Sequence, residues 1–167
     1  TLASPVLSWY LRRHWAGLKT VAAVQQYVAT YLQRSLANTT KRLTCSGLEG
    51  LDPHKTYLFV SNHRDIAMDP ALVNWRLSQA RFPISRIAIG DNLLQKTCVT
   101  GLMKLNKCFI VRRSAKGPRE MLKALGQLSA YIRHSLLTGH HIWIAQKEGR
   151  AKDGCDQTDP AILKMFY

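Results

Sequence analysis

His63 is followed by Asp65 and Asp69 within the stretch YLFVSNHRDIAMDPALVNW, residues 57–75. A histidine titrates near neutrality, and one steadied by a carboxylate can remove a proton from a hydroxyl that is about to attack. The carboxylate sets the imidazole tautomer and stabilises the imidazolium as it forms. Asp69, at the opening of a helix-like pattern, is the expected partner of His63, with Asp65 facing away or serving the turn. A polar cap on an ordinary strand-to-helix turn is the competing reading of the same residues. The chain has no G-x-S-x-G elbow to carry a serine nucleophile. A His-Asp pair without one points to direct transfer to a bound hydroxyl, with no covalent enzyme intermediate.

Guanidinium groups supply the second kind of chemistry. Arg112, Arg113 and Arg150 offer forked donors that match a phosphate, and Lys147 adds charge without a fork. Glu148 can hold an acceptor hydroxyl or orient an arginine, and Gly149 allows a tight turn beside a ligand. A base, an aspartate and a phosphate clamp suit acyl transfer to a phosphorylated alcohol better than hydrolysis, because a clamp positions a specific acceptor.

The elements that must position these groups follow from periodicity. Short apolar runs at 43–48, 57–61, 86–89, 107–111 and 140–145 read as strands. Helical patterns fall at 70–80, 97–105 and 118–137. In the last, Met121, Leu125, Leu128, Ile132 and Leu136 form one stripe, Pro118 suits the first turn and Gly139 the C-terminal cap. Strands alternating with helices predict an α/β fold, with a mostly parallel central sheet flanked by helices. Four polar clusters, SNHRD, GDN, RRS and QKEGR, each follow an apolar strand. In an open parallel sheet such ends share one rim, where ligands bind.

Residues 5–37 carry an amphipathic helical pattern that includes Trp9 and Trp15, with Arg12, Arg13, His14 and Lys19 in its first half. Packing on the domain's own core is its simplest reading, and contact with a membrane surface the alternative. The expected organisation is an N-terminal helical segment, 1–41, and an α/β domain, 42–167. The chain opens on Thr1 and stops on the apolar run AILKMFY, so it is read as a fragment truncated at the C-terminus.

Composition narrows the partners. Lys and Arg number 24 against 10 Asp and Glu, a net charge of +14, which calls for an anionic partner: nucleic acid, anionic lipid or an acidic carrier protein. Nucleic-acid binding would want aromatics interleaved with basic residues on one surface, whereas Trp9, Trp15, Trp75 and Trp143 are scattered. The four cysteines, Cys45, Cys98, Cys108 and Cys155, lack zinc-like spacing and read as small buried hydrophobes in a reducing compartment, which favours the cytoplasm. Adjacent His140 and His141 point to opposite faces of a strand and take a structural role, while Met103, Met121 and Met165 read as core filler. The HRD tripeptide at 63–65 is not a kinase loop, because the Asn that such a loop requires is Pro70 here.

At these blocks the sequence resembles the glycerolipid acyltransferase family, which includes the 1-acylglycerol-3-phosphate acyltransferases. Its first block, N-H-x4-D after a strand, is approached by SNHRDIAMDP, with five residues rather than four between His63 and Asp69. Its second, a strand ending in Asp-Arg-Ser, is similar to FIVRRS and carries phosphate binding to Arg113, with Arg112 in place of the aspartate. Its third, Phe-Pro-Glu-Gly-Thr-Arg, is similar to AQKEGRAKDG and carries acceptor binding to Glu148, Gly149 and Arg150. Lys147 stands for the usual proline, and the threonine before the arginine is missing. The fourth block, an apolar strand with a central proline, is not found.

The resemblance implies a thioester donor, acyl-CoA or acyl-carrier protein, and a lysophospholipid acceptor such as lysophosphatidic acid. It implies neither a metal nor a bound cofactor, and it places the protein on the inner face of the cell membrane. A basic nucleic-acid-binding module and a catalytically inactive acyltransferase-like lipid-binding protein remain the alternatives.

Overall fold

The computed structural model describes residues 9, 12–13, 15–94, 97–112, 114–153 and 156–166. The chain divides into two compact units, Thr1–Leu43 and Thr44–Tyr167.

In the first unit, helix α1 spans Val21–Thr39. It starts where the sequence supplies a stop and a restart. The chain turns at Ala16 and Gly17, and the Thr20 hydroxyl accepts from the Ala23 N–H at 3.1 Å as an N-cap. The helical pattern of 5–37 is therefore not one continuous helix. Its early members Leu7, Tyr10, Leu11 and His14 lie outside the described residues. No residue of α1 is buried within the described structure.

The second unit is an α/β fold. Strands β1 (Leu58–Ser61), β2 (Arg86–Gly90), β3 (Cys108–Val111) and β4 (Ile142–Ala145) form one parallel sheet in the order β1-β4-β2-β3. Helices α2 (Met68–Gln79), α3 (Thr97–Leu105) and α4 (Pro118–Leu137) connect successive strands, and α5 (Pro160–Lys164) follows β4. The expected strand at 43–48 is absent: those residues are irregular and lead into a short 3-10 turn at Leu48–Gly50. Gly47, at φ 89°, occupies a left-handed conformation that breaks an extended run.

Strand β4 is inserted between β1 and β2, which explains its continuous apolar sequence IWIA. Ile142 and Ile144 meet Leu128 and Ile132 of α4, with Phe109 and Met165 completing the buried cluster. Each such side chain withdrawn from water contributes about 1.5–3 kcal/mol. The stripe on α4 thus does the packing its spacing foretold at Leu125, Leu128, Ile132 and Leu136, while Met121 at its outer end is exposed. Gly139, at φ 83°, donates to Leu136 O and His140 N–H donates to Ser135 O, a Schellman closure of α4.

His140 and His141 precede β4 rather than lie within it. His141 is 2% exposed, its Nδ1 accepts from the Tyr57 N–H at 3.0 Å, and the rings of Tyr57, Phe59 and Phe82 surround it. Its Nε2 is buried without a partner among the described residues. Cys45 is exposed, against expectation; Cys108 is half-buried, and burial pushes its thiol up to about 11. The Cys98 side chain and Cys155 lie outside the described residues. No helix among the described residues is long and apolar enough to cross a membrane.

Burial, then the charge of His140, holds the His141 pKa below the ordinary imidazole value of 6.5. A depressed histidine pKa means that the unfolded chain binds the proton first as pH falls. Stability present above pH 6.5 is therefore lost on acidification through the folded-state pKa, with a slope of at most about 1.4 kcal/mol per pH unit. Urea unfolding of the wild type between pH 7.5 and 4.5, against His141→Gln, whose amide oxygen can accept the same N–H, should show a shallower acid limb in the variant.

Candidate active site

All four strands run the same way, so their carboxyl ends form one rim. The Asn62–His63 segment follows β1, Asp91 follows β2, Arg112 follows β3, and Gln146–Arg150 follows β4.

The turn after β1 is organised by two aspartates with different tasks. Asp65 Oδ1 accepts from the N–H groups of Ala67 (2.9 Å) and Met68 (2.7 Å), capping the start of α2. The backbone N–H of Met68, then that of Ala67, holds its carboxyl below the usual range, and Arg150 and His63 act in the same direction. Asp69, in the first turn of α2, points back across the loop. Its Oδ2 lies 3.0 Å from His63 Nδ1 and accepts from the N–H groups of Arg64 (2.6 Å) and Asp65 (3.0 Å). The extra residue between His63 and Asp69 is absorbed here, because one oxygen gathers the whole turn around itself.

An ionised carboxylate accepts and cannot donate. With Asp69 Oδ2 against Nδ1, the neutral imidazole carries its proton on Nδ1 and presents a lone pair at Nε2. Nε2 makes no hydrogen bond among the described residues. Both side chains are partly covered, 18% exposed for His63 and 22% for Asp69, so the pair is shielded yet reachable.

The loop after β4 closes beside this pair. Gln146 N–H donates to Ser61 O (2.8 Å) and Ala151 N–H to His63 O (2.7 Å), bringing Glu148, Gly149 and Arg150 close to His63. Gly149 has φ 77°, a conformation that few other residues adopt. Glu148 and Arg150 are exposed. The loop is then tied a second time, since Asp156 Oδ1 accepts from Asn62 Nδ2 and lies 3.6 Å from Arg64 Nη2. Asn62 Oδ1 in turn accepts from the His63 N–H at 2.7 Å. Sequence reasoning missed both Asn62 and Asp156. Asn62 was visible as the residue before the histidine, whereas nothing local marks Asp156, which lies 94 positions from its partner.

The arginines are less concentrated than expected. Arg112 stands on the same rim at the opposite edge strand, three strand spacings or about 14 Å from β1. Arg113 lies outside the described residues. Arg112 borders an apolar cavity of 350 Å3 lined by Ile89, Leu94, Met103, Phe109 and Leu128. A wider hollow of 660 Å3 beside it adds Asp91, Ser114, Glu120 and Lys123. Asp91 Oδ2 accepts from the Ser114 hydroxyl (2.6 Å) and N–H (3.2 Å), tying the end of β2 to the segment after Arg112.

The family model described as Acyltransferase matches residues 42–157, well over half of the chain. The chain belongs to this family, the glycerolipid acyltransferases. No curated protein matches it. The matched span of this acyltransferase contains His63, Asp69, Arg112 and the loop from Gln146 to Asp156, and it leaves out α1. Its general activity is therefore acyl transfer.

The Asp156 tie should be measurable without any substrate. Asp156→Ala removes an acceptor shared by Asn62 and Arg64, interactions at a half-exposed site together worth about 1 kcal/mol. Amide exchange at Ala151 should then be about fivefold faster, with exchange in α4 unchanged.

Proposed function

We propose that this acyltransferase moves a fatty acyl group from a thioester, acyl-CoA or acyl-carrier protein, to the hydroxyl of a phosphorylated glycerolipid such as lysophosphatidic acid. The observation that carries the reading is the 3.0 Å contact between His63 Nδ1 and Asp69 Oδ2, which leaves Nε2 as a base. His63 Nε2 takes the proton of the acceptor hydroxyl as its oxygen attacks the thioester carbonyl. Asp69 stabilises the imidazolium. That attack forms the new C–O bond and a tetrahedral intermediate, which collapses by re-forming the carbonyl and breaking the C–S bond, and the leaving sulfur recovers the proton from Nε2.

The rest of the rim supports the same assignment. In this reading Glu148 and Arg150, exposed in the loop beside His63, meet the acceptor, while Arg112 offers a guanidinium to a phosphate at the mouth of the apolar cavity. A cavity with apolar walls and a cationic lip suits an amphiphile with an acyl tail and an anionic head. The net charge of +14 suits the phosphates of CoA or lipid, or an acidic carrier.

Binding to the inner face of the cell membrane is proposed from the first unit. Trp9, Trp15 and Tyr31 are exposed there, as are Arg12, Arg13 and Lys19, and the Arg13 guanidinium lies 5.7 Å from the Trp9 ring centre. Aromatic and basic side chains together fit the interfacial zone of an anionic bilayer.

Thioester-dependent acylation of lysophosphatidic acid tests the reaction. His63→Ala should lower the rate by about 10²- to 10⁴-fold, and Asp69→Asn by a comparable factor, with both proteins folded. Arg112→Ala should raise the acceptor KM more than it changes kcat. Equal transfer by wild type and His63→Ala would remove the mechanism. For the membrane, Trp9→Ser with Trp15→Ser should reduce sedimentation with anionic vesicles and leave the reaction with a soluble short-chain acceptor intact. Salt-sensitive binding to RNA or DNA with no vesicle binding would favour the nucleic-acid alternative instead.

A further inference from the structure

Trp143 is the second residue of β4, and it is 2% exposed. Its neighbours Ile142 and Ile144 turn toward α4, so by alternation Trp143 faces the other side of the sheet, level with Phe59 and Ile87. From that buried root the indole reaches the carboxyl rim. Its Nε1 donates to Ser61 Oγ at 3.1 Å, and the Ser61 hydroxyl donates to Asn62 O at 3.0 Å. The indole also packs against the His63 imidazole, with ring centres 5.8 Å apart and planes at 67°.

We propose that Trp143 is the positioning residue for His63, fixing the imidazole plane that Asp69 alone leaves free. The inference rests on reading His63 as the base. A single Nδ1···Oδ2 contact fixes one atom of the ring and permits rotation about it. An edge-to-face partner removes that freedom, because any rotation drives one ring into the other. The indole is itself anchored at both ends, by its buried position on β4 and by Ser61, so it acts as a wall. Phenylalanine at 143 would keep a ring but could not reach Ser61, and leucine would remove the wall.

Two readouts test this: the tautomer and ring exchange of His63, from long-range ¹H–¹⁵N spectra of the imidazole, and steady-state acyl transfer. The wild type should show one Nδ1–H form. Trp143→Leu should keep the Nδ1–H form that Asp69 sets but show faster ring exchange, with a kcat at least about tenfold lower and KM within about twofold. Trp143→Phe and Ser61→Ala remove the same hydrogen bond. Each should lower kcat about threefold, and the double variant should be no worse than either alone. That pair decides the matter if Trp143→Leu does not fold. Unchanged ring exchange in every folded variant, or losses from Trp143→Phe and Ser61→Ala that multiply, would overturn the proposal. If the wild type transfers no acyl group, the reading of the reaction fails, and the imidazole spectra still judge the positioning role.

Discussion

One carboxylate oxygen organises the site. Asp69 Oδ2 receives the Arg64 and Asp65 N–H groups and faces His63 Nδ1 at 3.0 Å. The same oxygen thus accepts two backbone donors of the turn, so the group that faces the imidazole also shapes the loop carrying it. This double duty explains how a turn one residue longer than the family pattern closes without losing the contact. Asp65 is thereby released to cap α2, and the cap holds the helix that presents Asp69.

The sheet supplies the second constraint. Inserting β4 between β1 and β2 sets the loop from Gln146 onward directly beside His63, and the backbone bonds Gln146–Ser61 and Ala151–His63 follow from that adjacency. The same order sends β3 to the far edge, so Arg112 meets a different part of the rim, beside the apolar cavity. The rim is thus divided between the His63–Asp69 pair at β1 and β4 and a hollow at β3 bordered by the Arg112 guanidinium.

Much of this was legible in the chain, for identifiable reasons. Apolar runs bounded by polar clusters marked β1 to β4, and the α4 stripe announced its own buried face, because burial writes periodicity directly into sequence. The run at 43–48 misled, since a short apolar stretch says nothing about whether a pairing strand exists, and Gly47 breaks it. Cys45 and Met121 were assigned to the interior by residue type, and lie exposed because type sets a tendency while position decides. The four polar clusters looked equivalent in sequence, because strand order is invisible to local pattern.

By itself, the sequence determined the class of fold, the alternation of its elements, the rim on which polar residues gather, and the pairing of His63 with Asp69. These depend on side-chain chemistry and spacing, which are local quantities. Tertiary structure alone decided that β4 lies next to β1, that Asp156 reaches Asn62 and Arg64, and that a tryptophan on an inner strand stands against His63. Such contacts join residues 80 or more positions apart, and no local period encodes which distant strands become neighbours.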